Sequence, residues 1–495
     1  MKYLFTLAWG ALVAPALLAQ SSVADRLQAE DTQYRSSNGV KVEAQKGTFD
    51  VPENRNNPES ETISISFIRL KSKAENPQAP LVYLSGGPGS SCTWQAENPR
   101  SLKSWLPYLE LGDVIFVDQR GTGAGQNRVI SIYTDGLPSD VLVSEDRMKD
   151  YYSRMIRYAQ QDLAERRVDL EGYTSVQNAE DIDELRQALG IEKISLFGFS
   201  YGTHLGQTYI KYHEAHVEKA ILVGVEGLNH TFKLPSTMDV QMQKLALLVQ
   251  NDPQLSQEVP DLMALYLRVC EKLDANPAEI EVTNPLTEQP MTVKLGSYGL
   301  NLMMRFDIGD ASDLPVFPRL LYGIDQGDYS ALTWFVRKRI NNFYGVSGMS
   351  LTMDEASGAT PSRFLQIEEQ SQNSDFGGVT NFSMGWGWEA PDLGEEFRAP
   401  LVTSVPTLFM SGTLDFNTPP HQAEEVRWGF ANSHHIVVGY AGHEQITTHP
   451  GAQDAMIGFL KGDPVNEIAL SYPPISFIPV TGKPKRSLSH PSVED

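Results

Sequence analysis

Ile194-Ser195-Leu196-Phe197-Gly198-Phe199-Ser200-Tyr201-Gly202-Thr203 is the stretch whose reading decides the fold. A short apolar run, Ile194 to Phe197, leads into Gly-x-Ser-x-Gly, and Thr203 to His213 reads as a helix. In a strand, tight turn and helix of this kind the residues flanking the serine must be small, and the turn lifts the Ser200 hydroxyl clear of the sheet. The pattern alone is weak: with 39 glycines in 495 residues, chance supplies roughly 0.2 copies in a chain of this composition. Its surroundings carry the weight. Ala179, Ile182, Leu185 and Leu189 fall at helical spacing, and Gly190 ends that helix. Gly206, four residues past Gly202, lets the next helix approach the sheet closely.

Working outward, residues 40 to 70 alternate as strands do. Thr48 to Val51 and Ile63 to Ile68 predict a hairpin joined by the polar segment Pro52 to Glu61. Leu81 to Leu84 is a short buried strand ending at Ser85-Gly86-Gly87-Pro88-Gly89. Val114 to Val117 is another, ending at Asp118-Gln119-Arg120-Gly121, and Ala220 to Val223 is a third. Continuous apolar strands alternating with helices predict an α/β fold with a mostly parallel sheet and helices on both faces. From residue 228 to 397 the chain turns mainly helical, as in Met242 to Val249 and Leu262 to Leu273, with Gly-, Ser- and Asn-rich loops at 345–362 and 371–387. This segment reads as an inserted helical cap. Sheet rhythm resumes at Pro406 to Met410 and at His435 to Val438. The expected organisation is a first core part at 25–227, a cap at 228–397, a second core part at 398–472, and a Pro- and Ser-rich tail at 473–495.

Composition bounds the partners. A hydrophobic share of 41% and a charged share of 21% are ordinary for a globular protein. A net charge of −22 argues against nucleic acid, whose phosphates require a basic face, and weakly favours cationic substrates. Residues 1–24 read as a secretory signal. Lys2 is followed by the apolar Tyr3 to Leu18, and small residues stand at Ala19 and at Ser22-Val23-Ala24 where cleavage would fall. The run is short for a membrane span and has no stop-transfer flank, so stable membrane insertion is not expected and the destination is secreted or periplasmic. The two cysteines, Cys92 and Cys270, are either a disulfide or two separate buried thiols.

A serine hydroxyl is a weak nucleophile that needs a general base, and the base needs a group fixing its tautomer. Asp415 follows the 406–410 strand in Ser411-Gly412-Thr413-Leu414-Asp415, and His443 follows the 435–438 strand in Gly439-Tyr440-Ala441-Gly442-His443-Glu444. Ser, Asp, His is the chain order of an α/β-hydrolase triad, each member on a loop at a strand's C-terminal end. His434, His435, His449 and Asp454 fit less well by position or order. The tetrahedral intermediate needs backbone donors, expected from the N–H of Tyr201 and from Gly86 and Gly87 on the early glycine-rich loop. His443-Glu444 does not continue into a zinc motif, no glycine-rich phosphate loop is present, and no metal or cofactor is expected.

With these residues in place, the chain resembles the proline iminopeptidase and tripeptidyl aminopeptidase branch of the α/β-hydrolases, the S33 serine peptidases. The resemblance rests on Ser85-Gly86-Gly87-Pro88-Gly89, Asp118-Gln119-Arg120-Gly121-Thr122-Gly123, Gly198-Phe199-Ser200-Tyr201-Gly202-Thr203, Asp415 with Thr418-Pro419-Pro420, Gly442-His443, and the early Gly47-Thr48-Phe49-Asp50-Val51-Pro52. It departs from the iminopeptidase pattern at Ser85, where histidine is usual, and at Gly125, where serine is usual. The resemblance implies a secreted serine exopeptidase that takes peptides with a free N-terminus and holds the amine on cap carboxylates. A buried ammonium needs opposite charge, and Glu226, Glu368 and Glu369 are the candidates. A carboxylesterase or other small-molecule hydrolase on the same fold is the alternative, since the cap decides the substrate. A non-catalytic binding protein is a third reading, against which the intact triad argues.

Overall fold

The computed structural model describes residues 23–123, 129–134 and 136–481 of the chain. The signal segment up to Ser22, Gly125, and the tail beyond residue 481 lie outside the described residues.

The strands, in chain order, are β1 (Leu27–Arg35), β2 (Lys41–Pro52), β3 (Thr62–Leu70), β4 (Leu81–Leu84), β5 (Val114–Val117), β6 (Ile130–Ile132), β7 (Ile194–Phe199), β8 (Val217–Val223), β9 (Ala278–Thr283), β10 (Pro290–Leu295), β11 (Gly345–Ser347), β12 (Thr407–Gly412), β13 (Ser433–Gly439) and β14 (Leu470–Ser471). Ten of them form one sheet in the order β1-β2-β3-β5-β4-β7-β8-β12-β13-β14. The first three strands and the β3–β5 junction are antiparallel; from β5 through β4, β7, β8, β12 and β13 to β14 every pairing is parallel. The expected hairpin is β2–β3, with Phe49 opposite Ile65. The polar β1 pairs along the whole of β2 and carries little apolar patterning of its own, with no residue fully buried.

The central strands are continuous apolar runs because both faces are covered, and successive residues serve different cores. Val114 and Phe116 of β5 join Tyr83, Phe197, Trp105 and Met456 on one face. Ile115 and Val117 join Leu84, Leu196, Leu205 and Ile182 on the other. Helices Ser175–Ala188 and Tyr201–His213 cover the second face; helix Pro450–Lys461 covers the first. The helix starts are capped locally, Thr174 accepting from the Gln177 N–H. Gly190 ends its helix at φ +66°.

Between β8 and β12 the chain runs through helices Ser236–Asn251, Leu262–Ala275, Ser297–Asp307, Phe317–Gln326, Ser330–Arg339, Gly348–Ser357 and Pro361–Asn373. Two features differ from the sequence reading of this segment. It carries an antiparallel hairpin, β9–β10, whose alternating burial is strand-like. Residues 345–362, read as a loop from their Gly and Ser content, form β11 and helix Gly348–Ser357, started by the Ser347 hydroxyl accepting from the Ser350 N–H. β11 pairs antiparallel with β6, so the segment is stitched to residues 130–132 of the preceding chain. Part of the tail packs on the body of the protein: Val480 is buried, and the Arg319 guanidinium donates to the Pro479 carbonyl. Cys92 and Cys270 are both free thiols, Cys92 fully buried and Cys270 half-buried.

Candidate active site

β7 ends at Phe199, and Ser200 follows at φ 55°, ψ −125°, before helix Tyr201–His213 begins. A positive φ on a non-glycine residue costs on the order of 1–3 kcal/mol and persists only where the surroundings enforce it. They do so here. The Ser200 N–H donates to the Val223 carbonyl at 2.9 Å, and its carbonyl accepts from the Thr203 N–H at 2.8 Å. A Cβ on Gly198 would sit 2.4 Å from the Gly202 carbonyl oxygen, and one on Gly202 would sit 1.9 Å from that of Leu84. Both glycines of the motif are therefore steric requirements. Ser200 itself remains half-buried and reachable.

The loops after β12 and β13 meet beside it, so close that a Cβ on Gly412 would lie 2.3 Å from the Ala441 carbonyl oxygen. They bring together Asp415 and His443. The His443 Nδ1 lies 2.7 Å from Asp415 Oδ2, which leaves Nε2 for the serine. Asp415 is fully buried and held twice by Thr418, whose N–H donates to Oδ1 at 3.0 Å and whose hydroxyl donates to Oδ2 at 2.6 Å. Burial alone would lower the His443 pKa, but the Asp415 charge and hydrogen bond outweigh it and the pKa is raised. Asp415 is correspondingly lowered: burial opposes this, and the histidine and Thr418 overcome it. Ser200 Oγ and His443 Nε2 form no hydrogen bond in this structure; such contacts tighten when substrate binds.

The loop and helix start expected to supply oxyanion donors both adjoin Ser200. The ideal Cβ position of Gly86 is 2.9 Å from Ser200 Cβ and 3.4 Å from its Oγ, so the loop backbone lies against the nucleophile. Tyr201 opens its helix, where the first amides have no intrahelical acceptor. Gly87 is exposed and turns the loop at φ +117°. Gln119 clamps this loop, donating through Nε2 to the Ser85 carbonyl at 3.0 Å and accepting the Gly89 N–H at 3.0 Å. Asp118 accepts from the Cys92 and Thr93 N–H groups and from the Ser91 and Thr93 hydroxyls. A Cβ on Gly123 would fall 2.1 Å from Asp118 Oδ2. The fully buried Arg120 forks onto Asp181 and caps the Glu53 and Gly172 carbonyls. Asp-Gln-Arg-Gly is thus the frame that sets the oxyanion loop.

Of the carboxylates expected to hold an amine, the structure brings one to the serine. Glu226 is buried just past β8, and its N–H donates to the Thr203 hydroxyl at 2.8 Å; that hydroxyl in turn donates to the Ser200 carbonyl at 2.7 Å. Its carboxylate is ion-paired with Lys233. Glu368 and Glu369 are exposed on helix Pro361–Asn373, and Glu368 lines an outer groove of about 700 Å³ with Phe364, Leu365 and Trp388. Neither touches the triad. A further carboxylate, Asp354, which sequence reasoning missed, lies in the field of Glu226. It lies on helix Gly348–Ser357, enclosed by protein yet facing accessible space, and its side chain has no hydrogen-bond partner among the described residues. Burial first, and then the charge of Glu226, push its pKa well above the usual carboxylate range. The available signal was an Asp-Glu pair inside the otherwise uncharged Met349 to Ala356. Its helix is tied to the elbow. The Tyr201 hydroxyl lies 3.1 Å from Met353 Sδ and 2.9 Å from Ser175 Oγ, and His204 Nε2 lies 3.1 Å from Ser357 Oγ.

A strained serine, a histidine tied to a buried aspartate, and amide donors beside the nucleophile define a serine hydrolase. The chain belongs to the α/β-hydrolase family, whose model, described as alpha/beta hydrolase fold, matches residues 79–450. It is similar to the serine protease Hip1 of Mycobacterium tuberculosis, 29% identical over 214 residues, 40% of each chain. It is also similar to a tripeptidyl aminopeptidase of Streptomyces lividans, 26% identical over 190 residues, 37% of this chain and 35% of the relative. The match thus spans about two fifths of these relatives' own length. Among solved structures, Rv0554 from Mycobacterium tuberculosis covers 84% of this chain and 99% of its own, with 14% identity and a TM-score of 0.38. A thermophilic esterase from Thermogutta terrifontis covers 88% and 100%, with 14% identity and a TM-score of 0.34. Among the described residues, no helix is long and apolar enough to cross a membrane.

Proposed function

We propose that this serine hydrolase is a secreted exopeptidase that releases N-terminal residues, such as proline, or short peptides through an acyl-enzyme. The observation that carries the reading is the pair of enclosed carboxylates, Glu226 and Asp354, beside the elbow with a single lysine, Lys233, paired to one of them. Lys233 pairs with Glu226, Asp354 has no ion-pair partner among the described residues, and a peptide's free α-amine is a cation of the right size to take that place. An ester or acid substrate has no use for such a pair.

Chemistry follows from the geometry. Ser200 Oγ attacks the scissile carbonyl while His443 Nε2 takes its proton. Asp415 holds Nδ1–H and stabilises the imidazolium. The N–H groups of Tyr201 and of the 86–87 loop receive the oxyanion. His443 then protonates the leaving amine, the C–N bond breaks, and water, deprotonated by the same histidine, releases the acyl group. A panel of aminoacyl- and tripeptidyl-chromogenic amides, run beside short acyl esters, tests this. Turnover of free-amine amides and loss on N-acetylation support the reading; turnover of esters alone would make the protein a carboxylesterase. Secretion is checked by the N-terminal sequence of the exported protein, expected to begin after Ala19 or Ala24.

A further inference from the structure

The crest of the oxyanion loop is held by the insertion between β8 and β12 and not by the core. Gln119 bonds the loop at Ser85 and Gly89, and the Ser85 hydroxyl donates to the Ser90 carbonyl. Gly87, Gly89 and Ser90 are exposed. The Pro88 carbonyl takes one hydrogen bond among the described residues, from the Ser350 hydroxyl at 2.8 Å. Ser350 lies on helix Gly348–Ser357, 262 positions further along the chain. The approach is close: an ideal Cβ on Gly89 would stand 2.8 Å from Ser350 Oγ and 3.3 Å from Met349 Cε. The Ser350 hydroxyl has a single proton. Its other neighbour, the Ser347 hydroxyl at 3.0 Å, brings a proton of its own and leaves that of Ser350 for Pro88.

The same helix face reaches the other half of the site. Ser350, Met353 and Ser357 are spaced by three and four residues, so they share one face. Met353 Sδ lies 3.1 Å from the Tyr201 hydroxyl, and Ser357 Oγ lies 3.1 Å from His204 Nε2, both on the helix that opens at Tyr201. One helix thus touches both segments expected to supply oxyanion donors. The route from Ser350 to the nucleophile is short. Pro88 follows Gly86 by two residues, and the ideal Cβ position of Gly86 is 2.9 Å from Ser200 Cβ. A neutral hydrogen bond on an exposed loop adds little to folding, but it fixes where the loop's peptide groups point, and an oxyanion donor works only at hydrogen-bond distance from the developing charge. We propose that Ser350 is a positioning residue: its hydroxyl holds the Gly86 and Gly87 amides at their working spacing from the Tyr201 amide. The assignment needs only serine hydrolase chemistry, since an oxyanion forms from an amide and from an ester alike, and it is independent of the exopeptidase reading.

Ser350→Ala is the test. It removes the hydroxyl but keeps the backbone N–H that Ser347 caps, so the helix start is retained. Wild type and variant are compared on a chromogenic acyl ester, on any chromogenic amide the enzyme turns over, and in binding of a simple alkyl boronic acid. In that adduct the Ser200 oxygen bonds to boron, its proton passes to His443, and a boronate oxygen takes the place of the oxyanion. Losing a whole oxyanion donor costs on the order of 10²–10³ in kcat, and a donor left in place but loosened should cost about tenfold. The expected result is that fall in kcat on ester and amide alike, KM within about twofold of wild type, and weaker boronic acid binding by a factor similar to the loss in kcat. The thermal midpoint should not move. Unchanged kcat and unchanged boronic acid affinity would mean that the loop holds itself, and would overturn the assignment. A raised KM with kcat kept would make Ser350 a substrate contact and overturn it too. A lowered thermal midpoint with boronic acid affinity kept would mark a purely structural role, with the same consequence.

Discussion

Thr418 shows how much of this triad depends on a residue outside it. Its N–H and hydroxyl occupy both oxygens of Asp415, and the hydroxyl lies 3.1 Å from His443 Nδ1. Thr418→Val keeps the shape and the backbone donor but removes the hydroxyl, leaving Oδ2 one hydrogen bond short in a fully buried setting. Hydrogen bonds to charged groups are worth about 1.5–3 kcal/mol, so kcat should fall roughly tenfold to hundredfold with the thermal midpoint little changed. Thr418→Ser should recover most of the loss. His443 carries a second expectation. Its pKa is raised above the ordinary 6.5 because Asp415 outweighs burial. The base works only when neutral, and it is neutral above its pKa. Activity should therefore fall as pH drops through a value above 6.5, and Asp415→Asn, which removes the raising charge, should shift that limb to lower pH. A kcat/KM profile with its acid limb at or below the free-histidine value would contradict the geometry.

At the scale of elements, the oxyanion loop and the strand-end motif that clamps it act together. Gln119 is buried and bonds the loop at both ends, Ser85 and Gly89. Gln119→Ala should let the Gly86 amide drift from the oxyanion. A loss of roughly tenfold to hundredfold in kcat is expected for a donor misplaced by about 1 Å, with KM changed far less. Steady-state kinetics on any turned-over amide or ester reads this, since the oxyanion forms with both. The elements of this half were legible in sequence because each has a local signature: apolar runs for β4, β5, β7 and β8, then Gly-rich strand ends. The cap was legible only as helical. Helix Gly348–Ser357 was hidden because Gly345, Ser347, Gly348, Ser350 and Ser357 resemble a loop by composition. Its order comes from pairing of β11 with β6 some 210 positions earlier, a tertiary effect with no local trace. β1 was missed for a related reason: its partner, β2, supplies the pairing while β1 itself buries little. Asp354 lay in that hidden helix and so went unseen, while Glu368 and Glu369 fall on an exposed face.

Over the whole molecule, the sheet presents the nucleophile and the insertion between β8 and β12 contributes the Asp354 carboxylate. Ser200, Asp415 and His443 follow β7, β12 and β13 of one sheet, and Glu226 follows β8, which lies between β7 and β12. Asp354 arrives from the insertion and is locked to the elbow through Tyr201 and Met353. Removing its charge should thus alter recognition and leave the chemistry in place. In Asp354→Asn, KM for free-amine amides should rise about tenfold or more, the loss expected for a charged hydrogen bond, while kcat on acyl esters stays within about twofold. The pH dependence separates this from a packing defect. Burial and Glu226 raise the Asp354 pKa, so the carboxyl is neutral at low pH and holds an ammonium only once it ionises. In wild type, KM for amide substrates should climb as pH falls through that raised pKa, apart from the His443 limb in kcat. In Asp354→Asn the pH dependence of KM should flatten. A KM that keeps its full pH dependence in the variant would assign the amine to Glu226 alone and leave Asp354 a structural carboxyl.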